Sequence, residues 1–352
     1  MKQLFLLVGV AVMLGSEAWI QPAPPPPLAG FSFSPLVSEW AHRDPQTDLA
    51  LLLATTNPDL VRLPVYWETV QPAPDQLDFS ELDALLAVVA SHNQYAPNPT
   101  RVVLTVGARN FLYPELHEPA WAGVRQQPVL NQVQSGSAYR TYFESTIARY
   151  RGSPLLYAWQ VENEPFDYVG NVITGDDQIK VAQLNWEIAE ARTLDHVHKI
   201  VITTFDGWNV AVDMLQLYAK PALQLLGGYP SGHPGEALAA GDALGLDLYL
   251  DGPSTPLKFT STDLRAEWKE QAVTFWTGQA QSMGKEVWLT EMQAQPWADI
   301  AGKFKTSDLV ASAVDYRQEG LQVVLMWGVE TWLQDPAWLS AATKAMAVLR
   351  SK

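Results

Sequence analysis

Apolar runs and helical faces alternate along most of this chain. Short, nearly unbroken apolar segments run from Gly30 to Ser34, Leu60 to Pro64, Val102 to Val106 and Tyr157 to Val161. Four more run from Ile200 to Thr203, Leu244 to Leu250, Glu286 to Thr290 and Leu321 to Trp327. Segments without a polar face predict parallel strands covered on both sides. Between them, apolar residues recur every three or four positions. Leu82, Leu85, Leu86 and Val89 form one such face; Tyr139, Phe143, Ile147 and Tyr150 form another. Val181, Leu184, Ile188 and Ala191, and then Leu309, Ala313 and Tyr316, repeat the pattern. Further helices are expected over Asp48 to Ala54, Met214 to Leu226, Leu264 to Met283 and Ala337 to Leu349, with stops at Asn57-Pro58, Gly284 and Gly320. Eight strand–helix units in succession predict a single-domain α/β fold, a (β/α)8 TIM barrel over residues 30–352.

Two of the expected strands end in carboxylates. Tyr157 to Val161 runs into Glu162-Asn163-Glu164, and Pro165 stops the strand ladder. Glu286 to Thr290 runs into Glu291. In such a barrel the C-terminal strand ends form the mouth where chemistry sits. Two glutamates there are what glycoside hydrolysis needs: one protonated, to donate to the leaving oxygen, and one ionised, as nucleophile or base. Glu164 is expected as the acid/base and Glu291 as the nucleophile. Asn163 then bonds the sugar 2-hydroxyl, or else serves simple turn chemistry. Arg62 is an odd charge inside an apolar strand and needs a partner. Pairing with Glu291 would hold that carboxylate ionised, and a purely structural ion pair is the alternative.

Other candidates fall just past strand ends. Tyr249 and Trp327 are expected in the site. Trp67, Trp208, Trp297 and Trp332 divide between cleft aromatics and packing. Glu115 and His117 follow the third strand, and Gln293, Glu330 and Glu162 are further candidate contacts to sugar hydroxyls. His196 and His198 lie before the fifth strand, at the other end of the barrel, and are expected to be solvated.

With these residues in view the chain resembles the retaining β-glycosidases of clan A, a large group of (β/α)8 barrels. That clan carries its acid/base glutamate after an asparagine at the end of strand four and its nucleophile at the end of strand seven, here Asn163-Glu164 and Glu291. The resemblance also implies an arginine on strand two (Arg62), a tyrosine after strand six (Tyr249) and a tryptophan ending strand eight (Trp327). More narrowly, Trp159 to Phe166, Glu291 to Trp297, Trp327-Gly328-Val329-Glu330 and Tyr113-Pro114-Glu115-Leu116-His117 are similar to bacterial cellulase-like glycosyl hydrolases. One feature departs: Thr203-Thr204-Phe205-Asp206-Gly207-Trp208 lacks the histidine that cellulase-type families show near the end of strand five. The implied activity is hydrolysis of β-linked oligo- or polysaccharides. An exo-acting β-galactosidase or β-xylosidase type is a second possibility, and a silent carbohydrate-binding barrel a third.

Composition narrows the partners. The 352 residues carry 23 basic and 38 acidic side chains, a net charge of −15, with no basic run, which argues against nucleic acid or an anionic membrane. Fourteen tryptophans allow flat apolar faces for sugar rings as well as a core. There is no cysteine, no His-Glu-x-x-His, no Gly-rich phosphate loop and no nucleophile elbow, so no metal or cofactor is expected. At the N-terminus, Lys2, the apolar run Leu4 to Leu14 and Ser16-Glu17-Ala18 predict a secretory signal over residues 1–18, cleaved after Ala18. If it is not cleaved, it is a membrane anchor. Residues 19–29 then read as a Pro-rich linker, with Pro24 to Pro27 stiff and packed on nothing.

Overall fold

The structure, a computed structural model, describes residues 24–112, 115–122, 137–166, 179, 181–205, 232–250, 262–296 and 304–351. Its eight strands are β1 (Leu28–Ser32), β2 (Leu60–Tyr66), β3 (Arg101–Gly107), β4 (Leu156–Val161), β5 (Lys199–Phe205), β6 (Ala243–Leu248), β7 (Glu286–Gln293) and β8 (Val323–Trp327). They pair in parallel, each with its sequence neighbour, and β1 closes on β8 through Leu28↔Val323. The result is the closed eight-stranded barrel that the apolar runs predict.

Side-chain alternation along each strand sorts the core into two parts. Leu60, Val103, Ala158, Val201, Ala243 and Trp288 form one cluster, which plugs the barrel interior near the strands' starts. Their neighbours Val61, Val102, Trp159, Ile200, Leu244 and Leu289 belong to the larger cluster between barrel and helices. One inward step further along the strands the residues turn polar at Arg62, Gln160, Thr203 and Thr290, and two steps on from Ala243 stands Asp247, all buried. The interior is thus apolar at its floor and polar below its mouth.

β7 is not regular. Leu246 pairs with Leu289, but the next residue, Asp247, pairs with Glu291. Against β8, Leu289 pairs with Val324 and Met292 with Met326. One extra residue is therefore inserted in β7, a bulge that lets Thr290 and Glu291 both face inward.

Helices cover the outside: α1 (Pro35–Trp40), α2 (Pro45–Thr56), α3 (Trp67–Val70), α4 (Ser80–Asn93), α5 (Ala138–Tyr150), α6 (Val181–Leu194), α7 (Pro234–Ala240), α8 (Thr262–Ser282), α9 (Thr306–Tyr316), α10 (Val329–Trp332) and α11 (Pro336–Leu349). Several start on a side-chain cap. Asp44 accepts from the Thr47 N–H at 2.7 Å ahead of Pro45, and Asp335 from the Ala337 N–H at 2.8 Å ahead of Pro336. Asn57, left-handed at φ 44°, ends α2.

Two expectations change. β1 begins at Leu28 and Ala29 is fully buried, so the barrel starts inside the stretch read as linker. Pro24 to Pro26 are exposed, but Pro27 is buried because it leads directly into that strand. The short helices α1, α3, α7 and α10 carry too few turns to show a periodic face. The signal over residues 1–18 and the helix Met214 to Leu226 lie outside the described residues. Among the described residues no helix is long and apolar enough to cross a membrane.

Candidate active site

Glu291 points into the mouth because of the bulge beneath it. One carboxylate oxygen accepts from Arg62 Nη2 at 2.6 Å, and the other accepts from the Tyr249 hydroxyl. Arg62 is completely buried, and an unpaired charge there would cost several kcal/mol. It is satisfied on all sides. Its Nε donates to Ser32 Oγ at 2.7 Å, its Nη1 to Gln160 Oε1 at 3.0 Å, and its plane lies over the Phe111 ring at 4.2 Å. Burial pushes the Glu291 carboxyl up, while Arg62 and Tyr249 pull it back towards the ionised form.

The end of β4 is held in an unusual backbone. Glu162 has φ 59° and Glu164 φ 46°, both in the left-handed region that favours glycine. Each is tied down. The Glu164 N–H donates to Thr203 Oγ1 at 2.9 Å, and its carbonyl accepts from Arg109 Nη1 at 3.2 Å. Asn163 Oδ1 accepts from Gln160 Nε2 at 2.9 Å, so the amide that also receives Arg62 orients the asparagine. Glu162 turns away from the mouth. It accepts from the backbone N–H groups of Ala108 at 3.0 Å and Arg109 at 2.6 Å, and it meets Tyr139 and Glu187. Burial and then Glu187 push the Glu162 carboxyl well up. The Tyr139 hydroxyl stands against both carboxyls with one proton to give, so it donates to one and accepts from the other, which leaves one of the pair protonated. Glu162 is therefore a structural anchor for the turn rather than a sugar contact.

Trp327 closes the apolar side of the mouth, edge-on to Phe111 with ring centroids 5.7 Å apart. Val37, Leu112 and Tyr249 pack around the two rings. Glu115 forms an ion pair with Arg109 and so braces the β4 turn from the loop after β3.

Five further candidates have other employment. Trp67 is 1% exposed, donates to Gln71 Oε1 at 2.7 Å and packs against Trp121, Tyr139 and Tyr142 in the helix layer. It is core, not cleft, because α3 starts there and carries the ring under the barrel's rim. His117 is 2% exposed. It bonds Glu68 at 2.8 Å and the Leu112 carbonyl at 3.2 Å, and its ring lies 4.0 Å from that of Tyr66. It fastens the loop after β3 and has no face left for substrate. Gln293, also buried, donates to the Gln295 carbonyl at 3.0 Å, and the Gln295 amide donates to Glu330 at 2.5 Å. Burial raises the Glu330 carboxyl. Trp332 is buried, with its ring N–H on the Ala294 carbonyl at 2.9 Å. Trp297, Trp208, Tyr113 and Pro114 lie outside the described residues. His198 bonds Asp195 at 2.7 Å at the opposite end of the barrel.

Asp247, Gln160, Thr203, Phe111 and Arg109 are part of this constellation and are not among the sequence candidates. For Gln160 and Asp247 there was a signal: each is the odd polar residue in an otherwise apolar strand, as Arg62 is.

No protein-family model and no curated protein matches this sequence. Solved structures do match in fold. GH5_18 from Streptomyces cattleya, solved in complex with GlcNAc, superposes with a TM-score of 0.66 at 15% identity, over 94% of this chain and 82% of that one. Endo-glycoceramidase II from Rhodococcus sp., in its cellobiose-like imidazole complex, gives 0.52 at 19% identity over 86% and 73%. Native xylanase 10B from Thermotoga maritima gives 0.51 at 12% identity over 85% and 82%. The chain shares its fold with these proteins.

Proposed function

We propose that this chain is an exported glycoside hydrolase that cleaves β-linked oligo- or polysaccharides with net retention. Glu164 protonates the leaving oxygen while Glu291 attacks the anomeric carbon. Glu164, then a carboxylate, takes a proton from the water that releases the sugar. The observation that carries the reading is the treatment of Glu291. A bulge turns it inward, and a buried arginine and a tyrosine hydroxyl occupy its two oxygens, which favours the ionised nucleophile. The fold shared with three glycoside hydrolases is consistent with it. Export rests on the signal pattern over residues 1–18, and a mature chain starting near Trp19 in the culture medium is the expected product. An intact N-terminus in the membrane fraction would indicate an anchor.

The test compares wild type, Glu164→Ala and Glu291→Ala on aryl β-glycosides whose leaving group needs no protonation. Glu291→Ala forms no glycosyl-enzyme. Glu164→Ala still glycosylates Glu291, the intermediate persists, and azide restores turnover with a β-glycosyl azide. Azide rescue of Glu291→Ala with an α-product would exchange the two roles. A wild type that binds oligosaccharides and hydrolyses none would leave a binding protein.

A further inference from the structure

Asp247 lies inside the barrel wall, fully closed to solvent, paired in register with Glu291 on β7 and Phe205 on β5. Its Oδ1 accepts from the Thr290 hydroxyl at 2.6 Å. Among the described residues no donor reaches its Oδ2, which is buried. What stands within hydrogen-bonding reach of Asp247 is the carboxyl of Glu164. Asp247 is closed to water and Glu164 is half-buried, so ionising both carboxyls is costly; one proton between them removes the repulsion and supplies the missing donor.

We propose that Asp247 and Glu164 share one proton, and that Asp247 is thereby a positioning residue that holds Glu164 in its acid form. The proposal rests on the role given to Glu164 above. In the first step the pair gives its proton to the leaving oxygen and becomes a double carboxylate. Glu291 loses its charge to the ester at the same moment. In the second step the repulsion between the two carboxylates makes Glu164 a stronger base, and water returns the proton. Among the described residues the other groups facing Asp247 are Glu291, which disfavours its ionisation, and Arg62, which favours it; Tyr249 follows the end of the same strand. Burial is the largest influence and pushes the Asp247 carboxyl well up.

Asp247→Asn keeps the shape and the Thr290 bond but cannot share a proton. In the wild type the alkaline limb of kcat/KM reports loss of the pair's last proton. In Asp247→Asn, Glu164 titrates alone, and the limb falls by about one pH unit or more. Thr290→Val removes a hydroxyl bond and leaves both carboxyls, so its limb stays in place or rises. An unmoved limb in Asp247→Asn overturns the proposal.

A second measurement needs no activity. A proton kept in the fold and lost on unfolding makes stability fall as pH rises above the unfolded carboxylate range. The melting temperature of Asp247→Asn relative to wild type therefore becomes more favourable from pH 4 to pH 7.5. A difference that stays constant over that interval overturns the shared proton. Were the wild type inactive on every β-glycoside while this difference still grew, the shared proton would stand and the hydrolase reading would fall.

Discussion

Arg62 and Glu291 stand 229 positions apart in the chain and meet at 2.6 Å, the arginine completely buried and the glutamate nearly so. A strand charge and a strand-end carboxylate each look misplaced alone, and together they account for each other. The pair also ties β2 to β7 across the barrel.

Arg62→Met removes the cation and leaves Glu291 buried. Its carboxyl then rises further, so the ionised form is lost at a higher pH and the acid limb of kcat/KM moves up. Activity at pH 6 falls on the order of a hundredfold or more, and urea unfolding shows a loss of about 3–5 kcal/mol, the cost of breaking a buried pair from one side. An unmoved acid limb would detach Arg62 from the nucleophile.

The carboxyl groups of Glu164 and Glu291 should lie about 5–5.5 Å apart in a crystal structure, the spacing of double displacement. A gap of about 8 Å would leave room for a water and indicate inversion, which the product anomer on NMR would report independently.

Trp67→Ala and Trp327→Ala separate packing from cleft. The first opens a hole in the helix layer and costs roughly 3–5 kcal/mol in chemical denaturation, with KM unchanged for the molecules that remain folded. The second loses less stability and raises KM. Reversed results would return Trp67 to the cleft.

Gly107→Ala tests the scaffold of the β4 turn. A Cβ there would stand 2.4 Å from the Glu162 carboxyl carbon, at a φ of 149°. Glu162 must give way, and with it the Asn163–Glu164 turn. Melting temperature and kcat should both drop; a variant as stable and active as wild type would show that the Glu162 anchor is dispensable.

The strands were legible because both of their faces are buried, which leaves an unmistakable apolar run. An odd charge inside a strand located Arg62, and strand ends located Glu291 and Tyr249; a strand end is an address. It says nothing about direction. Trp67 and His117 stand at equally good addresses and turn into the protein, because α3 and the Glu68 contact pull them there. Asp247 carried the same mark as Arg62, one charge within the apolar run Leu244 to Leu250, but it sits before the strand end, where an address by strand ends passes it over. The bulge leaves no mark in Leu289-Thr290-Glu291; it exists only in how β7 lies against its neighbours.

That extra residue decides which face of β7 the carboxylate reaches. Were the ladder regular at its present length, Glu291 would fall into phase with Leu289 and be delivered to the apolar layer under the helices, with Met292 turned inward. Removing Thr290 together with the bulge would instead keep Glu291 opposite Asp247 and facing the mouth, and would take away the hydroxyl that Asp247 accepts from. The aim of this carboxylate is thus set by a count of residues as much as by their kinds.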